Sequence, residues 1–184
     1  MTYLADSNIL TSLAKAKSSQ YTEVRQSLTL LRKSGEIVCI VPQNLIEFWA
    51  VATRPISVNG LSLSVEKTSL EVKKFKRYFH FIDDEPNIFS RWEGLAIKHQ
   101  VSGKNAHDTR LVAAMLEHKI THLLTFNVKD FARFNEITVV DPKSLNLSEN
   151  RYCRKYFISG RHPAFASGFK LNSSTSQFAR FAPA

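Results

Sequence analysis

Short apolar runs alternate along the chain with longer segments of helical hydrophobic period. The apolar runs lie at residues 3–5, 37–41, 80–82, 122–124 and 138–140. The segments of helical period lie at residues 7–16, 20–34, 43–53, 64–78, 86–100 and 106–118. Short strands that alternate with longer helices are typical of a parallel sheet covered by helices. The pattern therefore predicts an α/β fold with a parallel or mostly parallel sheet.

Prolines and glycines indicate where these elements begin and end. Pro42 precedes the third helical segment and Pro55 follows it, as the fixed proline φ angle favours at a helix start and disfavours inside a helix. Gly60 and Gly103 mark loops.

Four acidic residues occupy positions that are unusual for solvated carboxylates. Asp6 ends the first predicted strand, and Glu47 has two apolar residues on either side. Asp108 lies in the first turn of a predicted helix, and Asp130 lies in a short helical turn after the fourth strand. Burying several unpaired carboxylates is costly, so such a set is protonated, paired with cations or bound to a metal ion. The carboxyl ends of parallel strands form the ligand crevice of an open α/β sheet, and the acids therefore predict a metal site there.

Three uncharged polar residues accompany the acids. Asn8 follows Asp6 by two positions, and Thr125 and Asn127 follow the fourth predicted strand. We expect these side chains to support the acids in the same crevice. Thr and Asn also form ordinary turn hydrogen bonds after a strand, so the pattern alone leaves that role open.

Each acid also has an ordinary structural explanation that the sequence leaves open. Asp6 is a suitable N-terminal cap for the helix that follows it. Asp108 is favourably placed near the positive end of a helix dipole. Glu47 could form an ion pair with Arg54, and Asp130 could form one with Arg133, instead of serving in a site.

The net charge of +9 is unevenly distributed along the chain. The residues after position 150 include no acid. They carry six positive charges, from Arg151, Arg154, Lys155, Arg161, Lys170 and Arg180. The remaining chain is mildly basic around its acids, a combination that suits a polyanion such as nucleic acid held partly through a cation. Lys104, Arg110 and Lys129 are close in sequence to the acids and are candidates for binding flanking phosphates.

The composition divides the chain into residues 1–145 and residues 146–184. The second segment is basic and rich in Ser and Phe, and its phenylalanines keep neither a strand nor a helix period. We therefore expect residues 146–184 to be a weakly ordered tail. The alternative is an arm that binds RNA through Arg charges and Phe stacking.

Several classes of protein are disfavoured by the sequence. The apolar stretches are shorter than the roughly 20 residues needed to cross a bilayer, and the N-terminus has no signal-peptide pattern. With only Cys39 and Cys153, a reduced, cytoplasmic protein is the simpler expectation.

Four segments resemble the PIN-domain ribonucleases and, within them, the VapC-like toxins of bacterial toxin–antitoxin pairs. The segments are LADSN at 4–8, NLIEFW at 44–49, NAHDTRLVAA at 105–114 and LLTFNVKDF at 123–131, in family order and spacing. The resemblance covers about residues 2–143. It implies a central parallel sheet flanked by helices on both faces, which is the architecture of this family.

The resemblance also implies an activity, a cofactor and partners. Family members hydrolyse phosphodiester bonds of RNA with Mg²⁺ or Mn²⁺ held by three or four acids. This makes Asp6 and Asp108 the principal metal ligands and Glu47 a ligand, either direct or through water. An acid often follows the Thr by two residues, where this chain has Asn127, so the fourth carboxylate is either Asp130 or absent. The expected partners are single-stranded or structured RNA, a cognate antitoxin and a second copy in a homodimer.

The resemblance implies that an apolar helix of the antitoxin binds an apolar surface of this chain. Trp49, Phe75 and Phe79 are candidates for it, and core packing explains these aromatic residues equally well.

Two other functions remain open. A phosphatase of the haloacid-dehalogenase type also has an Asp after its first strand, but it needs a second Asp where this chain has Asn8. A catalytically silent PIN scaffold that binds RNA or protein is the stronger alternative, because Asn127 removes one expected ligand.

Overall fold

The computed structural model describes residues 1–16 and 18–145 and shows a five-stranded sheet in which every pairing is parallel. The strands are β1 Thr2–Ala5, β2 Ile37–Ile40, β3 His80–Phe81, β4 His122–Leu124 and β5 Thr138–Val140. Their order across the sheet is β3-β2-β1-β4-β5. In the centre, Leu4 pairs with Cys39 on one side and with Leu123 on the other. The predicted α/β fold with a parallel sheet is confirmed.

The helices agree with the predicted segments to within two residues at each end. They are α1 Ser7–Ala14, α2 Ser19–Lys33, α3 Pro42–Thr53, α4 Val65–Tyr78, α5 Ile88–Lys98, α6 Asn105–Glu117 and the short α7 Val128–Phe131. The 3-10 turn at Ile56–Val58 was not predicted. It lies in the loop after Pro55, where the chain turns back along α3.

The helices cover both faces of the sheet, as the resemblance implies. Neighbouring residues of β1 face opposite sides, since Tyr3 and Ala5 belong to one buried cluster and Leu4 to another. The first cluster includes buried residues of the first four helices: Ile9, Val24, Phe48 and Phe75. The second includes buried residues of the last three helices: Leu95, Leu111 and Phe131. Side chains of α1 to α4 and of α5 to α7 therefore form two separate hydrophobic layers.

A proline begins α3 and a glycine lies in the loop after it, as predicted. Pro42 occupies the first turn of the helix, and the helix ends at Thr53. A Cβ atom at Gly60 would lie 1.8 Å from the carbonyl oxygen of Arg54, so only glycine fits where the chain passes back over the helix end.

One predicted surface is corrected by the packing. Phe75 and Phe79 belong to the core, with exposed fractions of 0% and 5%, and Phe75 packs edge-on against Phe48 with ring centroids 4.9 Å apart. Trp49 is 37% exposed, so of the three aromatic residues it alone lies on the surface. Phe75 lies on the face of α4 that packs against Phe48 of α3, and Phe79, directly after α4, belongs to the same buried cluster.

The remaining structural expectations are tested only in part. Within residues 1–16 and 18–145, no helix is both long and apolar enough to span a membrane. Cys39 is a buried free thiol whose pKa is raised to about 11 by burial. Cys153 and the predicted tail, residues 146–184, lie outside the described residues, so the proposed division of the chain at about residue 145 stays a prediction.

Candidate metal and active site

The carboxyl ends of β1 and β4 lie side by side at the point where the order in which strands are added to the sheet changes sides. From β1 the chain continues outward through β2 and β3, and β4 then returns to the other side of β1. Such a switch point leaves an open crevice beyond the strand ends. Asp6 follows β1 there, and its backbone N–H donates to the Leu124 carbonyl at 3.0 Å.

The carboxylate of Asp6 is buried and surrounded by neutral donors. Its Oδ2 accepts from the Thr125 hydroxyl at 2.6 Å and from Asn8 Nδ2 at 2.7 Å, and its Oδ1 accepts from Ser7 Oγ at 3.2 Å. Burial raises the pKa of Asp6, the Thr125 hydrogen bond lowers it, and the charge of Glu47 raises it; the net direction is upward. Asp6 stands at the N-cap position of α1, but its side chain makes no capping hydrogen bond. Helix capping therefore does not explain this carboxylate.

The uncharged residues Asn8 and Thr125 lie where the sequence predicted. The Thr125 hydroxyl also accepts from Asn8 Nδ2 at 2.9 Å and from the Asn127 backbone N–H at 3.0 Å. The side-chain oxygen Oδ1 of Asn8 accepts from the Phe126 backbone N–H at 3.4 Å. Asn127 thus reaches the site through its main chain, while the residue as a whole is exposed. These bonds fix Asp6 between the ends of two strands.

Glu47 lies on α3, where Gln43 holds its carboxylate. Gln43 Nε2 donates to Glu47 Oε1 at 2.7 Å and to the His107 carbonyl at 2.8 Å. An ion pair between Glu47 and Arg54 is absent from the described part of the chain. Gln43 was missed by the sequence analysis, although its spacing of four residues before Glu47 places the two side chains together on a helix.

Burial and the charges of the other three carboxylates all raise the pKa of Asp108. Its pKa is raised to about 6, first by burial and then by the charges of Asp6, Asp130 and Glu47, while the charge of Lys104 lowers it. Asp108 lies in the first turn of α6, as predicted. In residues 1–16 and 18–145 its carboxylate has no hydrogen-bond partner. Asp6, Asp130 and Glu47 therefore lie close enough to Asp108 to repel it, and Glu47 lies close enough to Asp6 to repel that residue too.

Asp130 lies on α7 and is partly buried. Its backbone N–H donates to the Asn127 carbonyl at 3.0 Å, which closes the turn after β4. The ion pair with Arg133 is not formed among the described residues. Its electrostatic effect on Asp108 places Asp130 beside the site, and its role as a ligand stays a prediction.

The three basic candidates differ in their surroundings. Arg110 Nη2 forms an ion pair with Asp84 Oδ2 at 2.8 Å, and Arg110 Nη1 donates to Gln43 Oε1 at 3.1 Å. Lys104 and Lys129 are exposed, and neither takes part in an ion pair within the described ranges. Asp84 was missed because its partner is 26 residues away in the sequence.

The donor chemistry fits a hard divalent cation. In the part of the chain that the structure describes, no three His, Cys, Asp or Glu residues are grouped closely enough to enclose a metal ion. Mg²⁺ commonly uses one or two protein carboxylates and keeps several waters, so a closed cage is not required. The charge repulsion that raises the pKa of Asp108 would be relieved by a cation between Asp6 and Asp108. Both residues are therefore suited to hold Mg²⁺ or Mn²⁺.

Solved structures of toxin–antitoxin complexes share this fold. A chain of VapBC2 from Rickettsia felis, bound to a DNA fragment from its promoter, is 20% identical with a TM-score of 0.57, over 77% of this chain and 98% of that one. A chain of VapBC-1 from nontypeable Haemophilus influenzae is 17% identical with a TM-score of 0.58, over 78% and 99%. A chain of DNA-bound VapBC from Salmonella typhimurium is 20% identical with a TM-score of 0.56, over 77% and 98%.

No protein-family model matches the chain, and no curated protein has significant sequence similarity to it. The structural likeness establishes the fold. The VapC toxin of these complexes is a PIN domain, and this chain has the same PIN-like α/β fold. The prediction of a VapC-like PIN fold is confirmed.

Proposed function

We propose that the protein is a metal-dependent endoribonuclease and the toxin of a toxin–antitoxin pair. The observation that carries this proposal is that Asp108 is partly buried and is repelled by Asp6, Asp130 and Glu47 at the carboxyl edge of a PIN-like sheet. Such repulsion costs folding stability, and a bound cation would offset it. The same edge holds the ligand crevice of open α/β sheets.

Each residue has a distinct part in the proposed reaction. Asp6 and Asp108 would hold Mg²⁺ or Mn²⁺, with Glu47 a ligand directly or through water. When bound, the metal would activate a water and stabilise charge on the scissile phosphate. Asn8 and Thr125 keep the Asp6 carboxylate in one orientation. Hard carboxylate oxygens favour these two cations over zinc.

The proposed substrate is RNA with a single-stranded segment. The exposed ammonium groups of Lys104 and Lys129 flank the acids in sequence and are free to bind phosphates on either side of the cut. Arg110 stays a candidate for the same role. An open crevice at a sheet edge suits a flexible strand whose backbone bends toward the acids.

The proposed partners are a cognate antitoxin and a second copy of the chain, acting in the cytoplasm. Support for an antitoxin comes from the similar structures, which are of VapBC complexes. An apolar groove with a volume of about 640 Å³ lies beside α3 and includes Ile46, Trp49, Val72 and Phe81. This groove is the candidate surface for the antitoxin in place of Phe75 and Phe79.

A panel of RNAs incubated with Mg²⁺, Mn²⁺ or EDTA tests the proposal. We expect internal cuts with either metal and none in EDTA. Asp6→Asn, purified in parallel, should be inactive, which excludes a contaminating ribonuclease. Equal cutting in EDTA would disprove metal dependence, and equal cutting by the variant would place the activity elsewhere.

A catalytically silent scaffold is the second candidate. It is favoured by Asn127, which stands where an acid is expected, and by the lack of a three-residue metal group in the described ranges. Such a scaffold would bind RNA without cutting it in any metal. Binding measured by fluorescence anisotropy, together with intact RNA on a gel, would identify it.

A further inference from the structure

The side chain of Gln43 connects two helices that pack on opposite faces of the sheet. Gln43 lies in the first turn of α3, is only 6% exposed, and precedes Glu47 by one helical turn. Buried residues of α3 and of α6 belong to separate hydrophobic clusters, so hydrophobic packing positions each helix against a different face. Glu47 and Asp108 therefore reach the site from different layers of the fold. Their relative position needs a link at the sheet edge.

Gln43 supplies this link with both ends of its amide. Nε2 donates to Glu47 Oε1 at 2.7 Å and to the carbonyl of His107 at 2.8 Å, and His107 directly precedes Asp108. Oε1 accepts from Arg110 Nη1 at 3.1 Å. A reversed amide would place its oxygen against two acceptors and its NH₂ group against a guanidinium, so one orientation alone satisfies all three neighbours.

Arg110 is itself held from a third element. Its Nη2 pairs with Asp84 Oδ2 at 2.8 Å, in the loop between β3 and α5. The result is a continuous chain of contacts from Asp84 through Arg110 and Gln43 to Glu47, which we call the Gln43 network. Bonds from a guanidinium or to a carboxylate are stronger than neutral ones, and all three links are of this kind.

We propose that Gln43 is a positioning residue that orients the Glu47 carboxylate relative to Asp108 and thereby sets the affinity of the site for a divalent cation. This inference rests on the proposed function, because it assigns Glu47 to the metal site. Arg110 then holds the other end of the Gln43 amide in place. Outer partners of metal-ligating groups typically change metal affinity or activity by about 10–100-fold when they are removed.

Replacement of Gln43 by Met tests the proposal, because Met keeps the length and shape of the side chain and loses its hydrogen bonds. We expect Mn²⁺ affinity, measured by isothermal titration calorimetry, to fall by about 10-fold or more. Gln26→Met, on the exposed face of α2, is the matched control and should bind Mn²⁺ as the wild type does. Circular dichroism verifies that each variant is folded.

Two further variants keep the test decisive if Gln43→Met does not fold. Gln43→Glu retains an acceptor for Arg110 but replaces the donor to Glu47 by a repelling carboxylate, so the affinity loss should be at least as large. Asp84→Asn acts at the far end of the network, at a side chain that is 38% exposed, and should cause a smaller loss in the same direction.

A double-mutant cycle with Glu47→Gln separates positioning from general damage. If Gln43 acts through Glu47, Gln43→Met should cause no further loss of Mn²⁺ affinity once Glu47 is replaced. In RNA cleavage, Gln43→Met should lower kcat and leave KM unchanged. If Gln43 has a purely structural role, Gln43→Met should lower Mn²⁺ affinity equally in the wild type and in Glu47→Gln.

The outcomes distinguish this inference from the proposed function. In one set of outcomes the wild type cleaves RNA in a metal-dependent way, but Gln43→Met leaves Mn²⁺ affinity unchanged or lowers it equally in the wild type and in Glu47→Gln. Either result would overturn the role of Gln43 and leave the proposed function intact. Coupling between Gln43 and Glu47 in Mn²⁺ binding without any RNA cleavage would support that role and refute the nuclease. A wild-type protein that binds no Mn²⁺ would overturn both.

Discussion

The strand side and the helix side of the acidic edge are stabilised in different ways. On the strand side, Asp6 is buried between two strand ends and accepts hydrogen bonds from Ser7, Asn8 and Thr125. On the helix side, Asp108 has a raised pKa and no hydrogen-bond partner in the part of the chain that the structure describes. The strand side thus fixes its carboxylate in one orientation through hydrogen bonds, although burial still raises the pKa of Asp6. The helix side provides no such bonds to Asp108 among the described residues, so a bound cation there would supply a contact that the fold does not.

The largest expected effect is the loss of cleavage on replacing Asp6 by Asn. This change removes a proposed metal ligand while it keeps the shape of the side chain. We expect RNA cleavage in Mn²⁺ to fall by more than about 100-fold, beyond the range seen for outer partners of a metal site. Cleavage rates measured under single-turnover conditions test this prediction, and a loss below 10-fold would contradict it.

The change Thr125→Val removes hydrogen bonds on the strand side without removing a carboxylate. Thr125 is fully buried, and its hydroxyl is bonded to Asp6, to Asn8 and to the Asn127 backbone. Leaving such groups unsatisfied costs about 1–3 kcal/mol of unfolding free energy. We expect a loss of about 2 kcal/mol in urea denaturation.

The matched control for that change is Thr53→Val, at a helix position where the hydroxyl only reaches the Trp49 carbonyl. It should alter the unfolding free energy by no more than about 0.5 kcal/mol. If the two Thr→Val changes have the same effect, the polar network around Asp6 contributes nothing of its own.

Substitution of Asp130 by Asn tests whether the helix side includes a fourth ligand. If Asp130 has that role, Mn²⁺ affinity should fall by about 10-fold, and Asn127→Asp should restore or strengthen binding. Isothermal titration calorimetry of the single and double variants provides the comparison. Unchanged affinity and cleavage, with a stability change of about 0–1 kcal/mol, would remove Asp130 from the site.

The smallest expected effect is a gain in stability of the metal-free protein on replacing Asp108 by Asn. The pKa of Asp108 is raised in the folded state from 3.8 to about 6, so the folded state binds a proton in that range that the unfolded state has released. Raising the pH through this window therefore lowers stability, and the penalty is fully present above about pH 6. Asp108 is partly exposed, and solvent screening together with the lost helix-dipole contribution reduces the gain to about 1 kcal/mol at pH 7.

Thermal melts in EDTA measure this gain as a rise of about 2–4 °C at pH 7. Near pH 4 the wild type and Asp108→Asn should melt at nearly the same temperature. A variant that melts lower at pH 7 would show that the charge of Asp108 stabilises the fold.

The sequence predicted the fold well because its signals are local. The last two residues of each of β1, β2 and β4 are buried on both faces, so these runs stand out from the amphipathic helices around them. The positions of Asp6 after a strand end and of Asp108 near a helix start were predictable from these local patterns, and their role as metal ligands stays a prediction. Their closeness in space then follows from the parallel arrangement of the strands.

The missed features depend on tertiary contacts between distant residues. Gln43 meets Arg110, and Arg110 meets Asp84, over separations of 67 and 26 residues that no local pattern reveals. The burial of Phe75 and the exposure of Trp49 likewise depend on which face of each helix meets the sheet. Asn127 is a third case, because its contact with Thr125 uses the backbone N–H and is independent of its side chain.

The central claim is that the acidic edge carries repulsive charge which a divalent cation neutralises. The most direct test is the melting temperature of the wild type and of Asp108→Asn at pH 7.5, in EDTA and across a Mn²⁺ titration. We expect the variant to melt higher in EDTA, and Mn²⁺ to stabilise the wild type more, so that their order reverses at high Mn²⁺. A variant that melts lower in EDTA and gains as much from Mn²⁺ as the wild type would contradict the claim.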